Sequence, residues 1–318
     1  MLYVNAMNKP KVLILLAAYN GKDYIRQMIA SVLSQTYQNF QLILSDDGSS
    51  DGTVQILEEF AQSNPDRVVH YRSGQRFGSA QKHFMHLLSC FHNEPYIMFC
   101  DQDDIWHPHK IEKTLAIMMQ TERDAETPAL VHTDLRVVDS QGKLIAPSFC
   151  DHTGIDGNRV QLNQLLVQNV VTGCTMMFNR SLAELASCSV DADAILMHDW
   201  WLALLASCCG TTAFLDEATI DYRQHGTNSV GAKNVRSLGY CLDRLLSKGM
   251  RQSLDAAAVQ TLEFLRIYDA VLSDAQKEML AAFGSTCGAS VISRDRVYLK
   301  YGLLKKGFVR VCSQLLGL

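Results

Sequence analysis

The stretch PYIMFCDQDDIWHPHK, residues 95–110, decides the fold and raises the first question about function. It begins as an apolar run typical of a buried strand and then places three carboxylates within four positions, at Asp101, Asp103 and Asp104. Carboxylates this close repel one another, and each raises the pKa of its neighbours. We therefore expect a cation other than a side chain to lie at the end of this strand.

Two earlier stretches have the same form, a buried strand that ends in polar residues. They are KVLILLAAYNG at 11–21 and FQLILSDDGSSDGT at 40–53. Apolar residues at helical spacing follow each stretch, with Asp23 and Thr53 as the predicted N-caps. Further strands are predicted at residues 67–71, 129–138, 171–178 and 212–220. This alternation predicts an α/β domain with a mainly parallel sheet flanked by helices.

The chain changes character near residue 232, where leucines and alanines at helical spacing predict a C-terminal helical region, residues 232–318. Its end, SRDRVYLKYGLLKKGFVRVCSQLLGL, mixes basic with apolar residues. Such a pattern fits either a surface that binds an anionic membrane peripherally or a helix that packs on the preceding domain. The sequence leaves both interpretations open.

The composition argues against several classes of protein. With 47% hydrophobic and 19% charged residues, the 318-residue chain can bury a sizeable core. The net charge of −4 argues against a nucleic-acid binder. The ten cysteines include no CxxC pair, so we expect reduced thiols and a cytoplasmic protein. The apolar run at 12–18 is too short for a secretory leader, and no segment approaches the roughly 20 apolar residues of a membrane span.

The polar ends of the predicted strands are expected to meet. Carboxyl ends of parallel strands form one edge of a sheet, and open α/β sheets bind their ligands at that edge. The edge would carry the pairs Tyr19–Asn20 and Asp46–Asp47 together with the aspartates of 101–104.

The kind of ligand follows from what the turns lack. A dinucleotide site needs GxGxxG after the first strand, but AAYNGKDY contains only Gly21, and the sequence has no P-loop motif. Phosphates would then be neutralised by a divalent cation, and carboxylates are ligands that Mg²⁺ and Mn²⁺ prefer. The sequence thus predicts a metal at residues 101–103 that bridges a diphosphate. The alternative is that the aspartates cap a helix beginning near Pro108.

Three motifs in this order resemble the family 2 glycosyltransferases, inverting enzymes with the GT-A fold. They are LLAAYNG at 15–21, SVLSQTYQNFQLILSDDGSSDGT at 31–53 and DQDD at 101–104. Later stretches are similar to a rhamnosyltransferase-like subgroup, namely GCTMMFNRSL at 173–182, MHDWWL at 197–202 and DYRQHGTNSVG at 221–231.

The resemblance covers about residues 10–231 and implies a GT-A domain at 1–231. Its nucleotide-sugar side would span about 10–110 and its acceptor side about 130–231. The region at 232–318 would be a helical appendage.

The resemblance implies a nucleoside-diphosphate sugar as donor. Asp47 would accept from the N3–H of uracil or thymine, and Asp101 would contact the ribose. Tyr19 stands where family members contact the nucleoside, and Lys82 would face the donor. Arg223 would pair with phosphate oxygens.

Each of these positions has an ordinary structural alternative. One aspartate of 46–47 is expected to form an Asx turn. Tyr19 would otherwise be a strand-end aromatic, and Lys82 and Arg223 would be solvated side chains. Family members often have KNF where this chain has KHF, so His83 departs from the family pattern.

The later motifs carry the metal and the chemistry that the resemblance implies. Asp103 and His225 would bind a metal that acts as a Lewis acid on the diphosphate leaving group. Asp199 matches the general base, which takes the proton of the acceptor hydroxyl. One of Trp200 and Trp201 would stack on the acceptor sugar. The alternatives are a hydrogen-bonded histidine, a helix cap at Asp199 and core positions for the tryptophans.

The resemblance thus predicts an inverting glycosyltransferase that depends on Mn²⁺ or Mg²⁺. Its expected donor is dTDP-L-rhamnose, with UDP-linked galactose, glucose or N-acetylhexosamine as alternatives. The implied acceptor is a lipid-linked glycan of surface polysaccharide, either O-antigen or capsule. The chain would then work in the cytoplasm or peripherally at the inner face of the membrane.

Three competing interpretations fit the residues less well. A nucleotidyltransferase needs a glycine-rich basic loop near the first strand, which LLAAYNGKDY does not supply. A non-catalytic nucleotide-sugar binding relative has no need of Asp103, Asp199 and His225. A zinc site at His107 and His109, or at His83 and His86, has no third ligand at zinc-finger spacing.

Overall fold

The computed structural model describes residues 9–187, 193–225 and 249–316. Its strands are β1 (Val12–Ala18), β2 (Phe40–Asp46), β3 (Val68–Tyr71), β4 (Tyr96–Asp101), β5 (Ile105–Trp106), β6 (Ala129–Asp139), β7 (Leu144–Ala146), β8 (Met177–Asn179) and β9 (Thr211–Gln224). Its helices are α1 (Ile25–Leu33), α2 (Thr53–Ser63), α3 (Ala80–Cys90), α4 (Lys110–Thr121), α5 (Phe149–Thr153), α6 (Leu162–Leu165), α7 (Arg180–Ala186), α8 (His198–Cys209), α9 (Gly249–Tyr268), α10 (Asp274–Gly284), α11 (Val291–Tyr301) and α12 (Phe308–Leu315).

The sheet has two halves of different kinds. In the first half β3, β2, β1 and β4 are parallel neighbours in that order. Beyond β4 the order continues with β8, β6, β9 and β5, and β7 pairs with β6. In this second half β6 and β9 are parallel, whereas β8 is antiparallel to both β4 and β6. The predicted α/β fold is confirmed, but the sheet is mixed and the mainly parallel arrangement holds for its first half.

The polar ends of the first three core strands lie at one edge, as the sequence predicts. Ala18 of β1 is in register with Asp46 of β2, and Ala17 is in register with Asp101 of β4. Because the strands are parallel, their carboxyl ends open on the same side of the sheet.

Each core strand is buried on both faces. In β1, Leu13 and Leu15 belong to one hydrophobic cluster, while Val12, Ile14 and Leu16 belong to the other. This alternation reflects the two-residue period of a strand, and burial on both faces explains the continuous apolar run. Helices α1, α2 and α4 cover one face, and α3 and α8 cover the other.

The C-terminal helices pack on the domain. Met250 of α9, Phe283 of α10 and Tyr298 of α11 are buried in the cluster that contains Leu13 and Leu15. The described part of the predicted helical region therefore packs on the domain. Residues 232–248 and 317–318 of that region lie outside the described residues. None of the described helices is long and apolar enough to cross a bilayer.

The predicted N-cap at Asp23 is wrong. Helix α1 has Tyr24 at its N-cap position, without a side-chain cap. The carbonyl of Gly21 accepts instead from the amides of Tyr24 and Ile25, at 3.0 Å each. The chain thus turns one residue later than the capping preference indicates, because backbone bonds close the turn.

The predicted cap at Thr53 is also wrong. Thr53 is the first residue of α2, and its amide donates to Asp51 Oδ1 at 3.0 Å. The N-cap position belongs to Gly52, whose φ of 104° favours glycine. The hydroxyl of Thr53 accepts from the Gly21 amide at 2.9 Å, so this residue ties the first two strand-end turns together.

Two predicted strands differ in length from those observed. The strand predicted at 171–178 is reduced to β8, because Gly173–Thr175 form a 3₁₀ turn. The strand predicted at 212–220 runs on to Gln224 in β9. Gly173, before β8, and His225, after β9, lie at the edge where β1, β2 and β4 end.

Candidate active site

A cleft of about 990 Å³ opens at the carboxyl ends of β1, β2 and β4. Most of the residues that the sequence singled out line it, including Tyr19, Asp47, Asp101, Asp103, Asp199, Trp200 and His225. These residues come from the strand ends of the first half of the sheet, from the residue after β9 and from α8, so the cleft spans both halves of the sheet.

One end of the cleft is built around Asp47 and the loop that precedes α3. Asp47 is 4% exposed, and its carboxylate accepts from the backbone amides of Phe77 and, at 2.8 Å, Gly78. The Asx turn belongs to the neighbouring Asp46, whose Oδ2 accepts from the amides of Gly48 and Ser49 at 2.9 and 2.7 Å. The two adjacent aspartates thus have separate tasks, and Asp47 is the one that lines the cleft.

Arg76 is a cleft residue that the sequence analysis missed. Its guanidinium lies 5.1 Å from the centre of the Tyr19 ring and donates to the Tyr19 hydroxyl at 2.7 Å. Tyr19 itself is held in place by Gln102, whose side-chain amide pairs with the Tyr19 amide and carbonyl at 2.8 and 2.9 Å. A Cβ at Gly21 would lie 2.2 Å from Gln102 Oε1, so a larger residue there would displace the Gln102 side chain from its bonds to Tyr19. The loop at 72–79 has no motif, and only its position over Tyr19 identifies Arg76.

The middle of the cleft brings Asp103 and His225 together from positions 122 residues apart. The Nε2 atom of His225 lies 2.6 Å from Asp103 Oδ2, and the imidazole stacks on Tyr24 with ring centres 5.0 Å apart. A carboxylate and an imidazole that converge on one point form a donor set suited to Mn²⁺, and Mg²⁺ sites commonly use one or two carboxylates with phosphate and water. The residues present therefore fit the metal that the resemblance implies.

Asp101 lies beside this pair at the end of β4. Burial, together with the nearby carboxylates of Asp103 and Asp199, raises the pKa of Asp101 to about 7. Nearby negative charge is therefore a property of this site, as the sequence predicts, and a cation here would relieve the repulsion.

Asp104 does not cap the following helix. Helix α4 begins at Lys110 with His109 at its N-cap position, whereas Asp104 is buried and accepts from the Arg223 amide at 3.2 Å. Burial raises the pKa of Asp104 well above its usual range, and Asp103 adds to that effect. Capping alone therefore does not explain the aspartate cluster.

The other end of the cleft contains Asp199 in the first turn of α8. This carboxylate is 7% exposed. Its Oδ1 accepts from the Asn169 side chain at 3.1 Å and its Oδ2 from the Gly173 amide at 2.9 Å. Burial raises the pKa of Asp199 to about 6, although these hydrogen bonds and one from the Trp200 amide favour the ionised form. Such a carboxylate is ionised near neutral pH and can still accept a proton.

The two tryptophans that follow Asp199 have different environments. Trp200 lines the cleft, and its Nε1 donates to the Leu165 carbonyl at 2.7 Å. Trp201 is 0% exposed and packs against Phe264 and Tyr268 of α9, so it is a core residue and not an acceptor contact. Helical geometry decides this, because successive residues of α8 point about 100° apart.

Two predicted donor contacts are not brought to the cleft. The ammonium of Lys82 pairs with Asp193 at 2.5 Å, and Lys82 is not among the lining residues. Arg223 is buried, and its guanidinium donates to the Asp103 carbonyl at 3.0 Å and to Gln27 at 2.9 Å. Arg223 therefore joins the Asp103 turn to β9, and it is not among the residues that line the cleft.

His83, His107 and His198 contact neighbouring residues of the fold, and His83 also lines the cleft. His83 bonds to the Ser45 hydroxyl at 2.7 Å, and His107 bonds to Asp221 at 2.8 Å. Within the described ranges, neither of the histidine pairs considered for zinc belongs to a group of three potential ligands. His198 lines the cleft beside Asp199, packs on Phe84 and Phe99, and has a pKa that burial lowers to about 3.

Comparison with known proteins gives the family of this chain. The sequence model of one protein family, described as glycosyl transferase family 2, matches residues 13–185. The chain is 28% identical over 225 residues to dTDP-rhamnosyl transferase RfbG of Shigella flexneri, covering 68% of this chain and 74% of that protein. It is 25% identical over 284 residues to an uncharacterized glycosyltransferase of Haemophilus influenzae, covering 82% and 81%.

Solved structures share the fold at low sequence identity. The structure of S. aureus TarS 1-349 in complex with UDP-GlcNAc has a TM-score of 0.58 and 14% identity, and covers 92% of this chain and 80% of that one. The mannosyltransferase PcManGT from Pyrobaculum calidifontis, in complex with GDP-Man and Mn²⁺, has a TM-score of 0.55 and 16% identity, and covers 98% and 86%. The fold is thus GT-A-like, and the protein is a glycosyltransferase that belongs to glycosyl transferase family 2.

Proposed function

We propose that this chain is an inverting, metal-dependent glycosyltransferase that moves a sugar from a nucleoside diphosphate to a glycan hydroxyl. One observation carries the proposal, namely the order of groups along the cleft. The sheet order β2, β1, β4, β8 arranges in a row Asp47, Tyr19, Asp101 and the turn before β8, whose Gly173 amide donates to Asp199. That order matches a nucleoside, a diphosphate and a reacting sugar laid end to end.

The nucleoside end is proposed to lie at Tyr19, Asp47 and Arg76. Asp47 is an acceptor for an imide N–H of the base, and the exposed Tyr19 ring offers a stacking surface. Arg76 adds a cation on that surface, which suits a carbonyl or phosphate oxygen.

Asp103 and His225 would hold Mn²⁺ or Mg²⁺, with diphosphate oxygens and water as further ligands. The bound metal would supply Lewis-acid stabilisation of the departing diphosphate. Asp101 is proposed to contact the ribose, since it ends β4 between the Asp103 turn and β1.

Asp199 is proposed to act as the general base. The acceptor oxygen forms a bond to the anomeric carbon while the bond from that carbon to the diphosphate oxygen breaks. The hydroxyl proton passes to the Asp199 carboxylate, and the electron pair of the broken bond leaves with the diphosphate. Asn169 and Gly173 orient the carboxylate, and Trp200 supplies an apolar wall for the acceptor.

The donor is proposed to be dTDP-L-rhamnose. Support comes from the subgroup-like motifs at 173–182, 197–202 and 221–231 and from the relative named dTDP-rhamnosyl transferase. The acceptor would be a lipid-linked glycan of surface polysaccharide. UDP-linked galactose, glucose and N-acetylhexosamine are the competing donors.

Calorimetry with a panel of UDP- and dTDP-sugars, with and without Mn²⁺, tests the donor and the metal together. We expect one donor to bind in a metal-dependent manner. The Asp103→Ala variant should lose that dependence, while Asp66→Ala, in an exposed turn before β3, should retain it. Binding that ignores both metal and Asp103 would refute the metal role, and donor binding without transfer to any glycan would favour a non-catalytic relative.

We also propose peripheral contact with an anionic membrane. Helix α11 exposes Ile292, Arg296 and Leu299 at helical spacing, and Phe308 at the start of α12 is 84% exposed. Exposed apolar residues beside a cation suit an anionic lipid surface.

Flotation with liposomes of phosphatidylglycerol and phosphatidylcholine tests this contact. The wild type should float, and a variant with serine at 292, 299 and 308 should not. Val259→Ser, which changes an apolar residue of α9 that is 50% exposed, serves as the control. Equal flotation of all three proteins would show that these exposed apolar residues of the tail do not bind the membrane.

A further inference from the structure

The C-terminal segment, residues 301–314, makes its contacts at one particular part of the domain. Arg310 donates to the carbonyls of Thr153 and Gly154, at 2.5 and 3.0 Å. From the other side, Arg159 donates to the Leu304 carbonyl at 2.5 Å. These bonds join the segment to the linking segment, which we define as residues 153–169.

The contacts continue along the linking segment. The Asn163 side chain donates to the Gly302 carbonyl at 3.2 Å, and the Lys306 amide donates to Gln168 Oε1 at 3.1 Å. The ammonium of Lys306 pairs with Asp156 at 3.0 Å. Gly302 ends α11 with a φ of +65°, a left-handed conformation that favours glycine, and a Cβ there would lie 3.2 Å from the Asn163 side chain.

The turn at 302–307 is closed from within by Gln314. Its Nε2 donates to the Leu303 carbonyl at 2.7 Å, and its Oε1 accepts from the Lys305 amide at 3.0 Å. Gln314 and Leu303 are both 0% exposed. The backbone groups of the C-terminal segment that bond to the linking segment therefore belong to a closed turn with internal hydrogen bonds.

The same linking segment holds the catalytic end of the cleft. The Leu165 carbonyl accepts from Trp200 Nε1 at 2.7 Å, and Asn169 donates to Asp199 at 3.1 Å. Within the linking segment, residues 163 and 168 bond to the C-terminal segment, and residues 165 and 169 bond to the site. The two kinds of contact thus alternate along the chain. Ile155, which also belongs to this segment, lines the cleft.

We propose that the C-terminal segment positions Asp199 and Trp200 through the linking segment, so that it sets the acceptor end of the cleft without contributing to nucleotide binding. This inference rests on the proposed role of Asp199. The residues of the C-terminal segment are positioning residues, since the cleft lining contains none of them. The nucleotide end depends instead on Asp47, Tyr19 and Arg76, whose described contacts lie within residues 18–102.

The test compares Arg310→Ala and Arg159→Ala with the control Lys300→Ala in the full chain. The control removes a charge from α11 whose described bonds are to Glu278 and Tyr301, outside the linking segment. Hydrogen–deuterium exchange should become about tenfold faster at 153–170 in both arginine variants and stay unchanged at 12–47. Arg310→Lys, which keeps a donor for the two carbonyls, should restore most of the protection.

A spectroscopic readout reports on the site itself. Trp106 and Trp201 are buried, so Trp200 should account for most of the acrylamide quenching, and Trp200→Phe provides the background. We expect quenching of Trp200 to rise in Arg310→Ala and Arg159→Ala but not in Lys300→Ala. Affinity for UDP and dTDP with Mn²⁺ should stay within about twofold of wild type, because that end of the cleft is separate.

Turnover of the donor found in the panel should show a lower kcat, by about tenfold, with an unchanged KM for the donor. Unchanged exchange at 153–170, unchanged Trp200 quenching, or an equal loss of protection in 12–47 would each overturn the inference. The exchange and fluorescence readouts need no donor. Failure of the donor panel would therefore count against the proposed function and leave this test intact.

Discussion

The two halves of the cleft are built by different means. At the proposed nucleotide end, Tyr19 and Asp47 each follow directly on a buried parallel strand and Asp101 ends one, so strand register brings them together. At the proposed acceptor end, Asp199 lies at a helix start and accepts from Asn169 and Gly173, which are 30 and 26 residues away along the chain.

The difference shows where a sequence pattern predicts the position of a site residue in the fold. A parallel strand that is buried on both faces has one register that fits, so the residues after it have a defined place. A helix N-terminus in the second half has no such constraint. Its place is decided by packing against the antiparallel strand β8, the linking segment and α9.

The largest expected effect comes from removing the base. Asp199→Asn should lower transfer by about 10³-fold, because the amide accepts no proton. Nucleotide affinity should stay within about twofold, because the two ends of the cleft are separate. Transfer assays and UDP or dTDP calorimetry measure the two quantities, with Asp66→Asn as the control. Transfer at the wild-type level by Asp199→Asn would exclude it as the base.

The adjacent tryptophans should divide stability from function. Trp201→Ala should cost about 3–5 kcal/mol of unfolding free energy, because it leaves a cavity against Phe264 and Tyr268. Trp200→Ala should cost less stability and should lower transfer, because this side chain lines the cleft. Denaturant unfolding and transfer assays measure both. Equal losses of stability in the two variants would show that Trp200 is also a core residue.

The pH dependence should report the acceptor end. Burial raises the pKa of Asp199 to about 6, and the base must be ionised, so activity should rise with pH through about 6 and level off above it. Below that point kcat should fall about tenfold per pH unit. Asn169→Ala removes a bond that favours the carboxylate, so its acid limb should move to higher pH. An acid limb of the pH–activity profile that is the same in Asn169→Ala and the wild type would contradict the assigned role of Asn169.

The smallest expected effects distinguish the cations around the nucleotide end. Arg76→Ala should weaken UDP or dTDP binding by about tenfold, because it removes a charged donor next to Tyr19. Lys82→Ala should change the affinity by less than about twofold, because Lys82 does not line the cleft and its exposed pair with Asp193 contributes little. Arg72→Ala, an exposed arginine paired with Glu58, is the matched control. A larger loss at Lys82 than at Arg76 would reverse their assignment.

Some site residues were predictable and others were not. The meeting of Asp47, Asp101 and Asp103 followed from strand-end motifs, and the family resemblance brought His225 and Asp199 to the same cleft. Arg76 has no motif, because its position depends on a loop with glycines at 74 and 78. Lys82 and Arg223 were expected at the donor, but each is held by partners that are distant in sequence.

The sequence by itself determined the α/β alternation, the strands that are buried on both faces and the convergence of carboxylates at their ends. These properties are local, because they depend on residue spacing and on the register of parallel neighbours. Only the tertiary structure decided that Trp201 is core while Trp200 lines the cleft, that Arg223 joins β9 to the Asp103 turn, and that the C-terminal segment contacts residues 153–169. The physical reason is that these outcomes depend on which long-range partner a side chain meets, and spacing along the chain does not encode that choice.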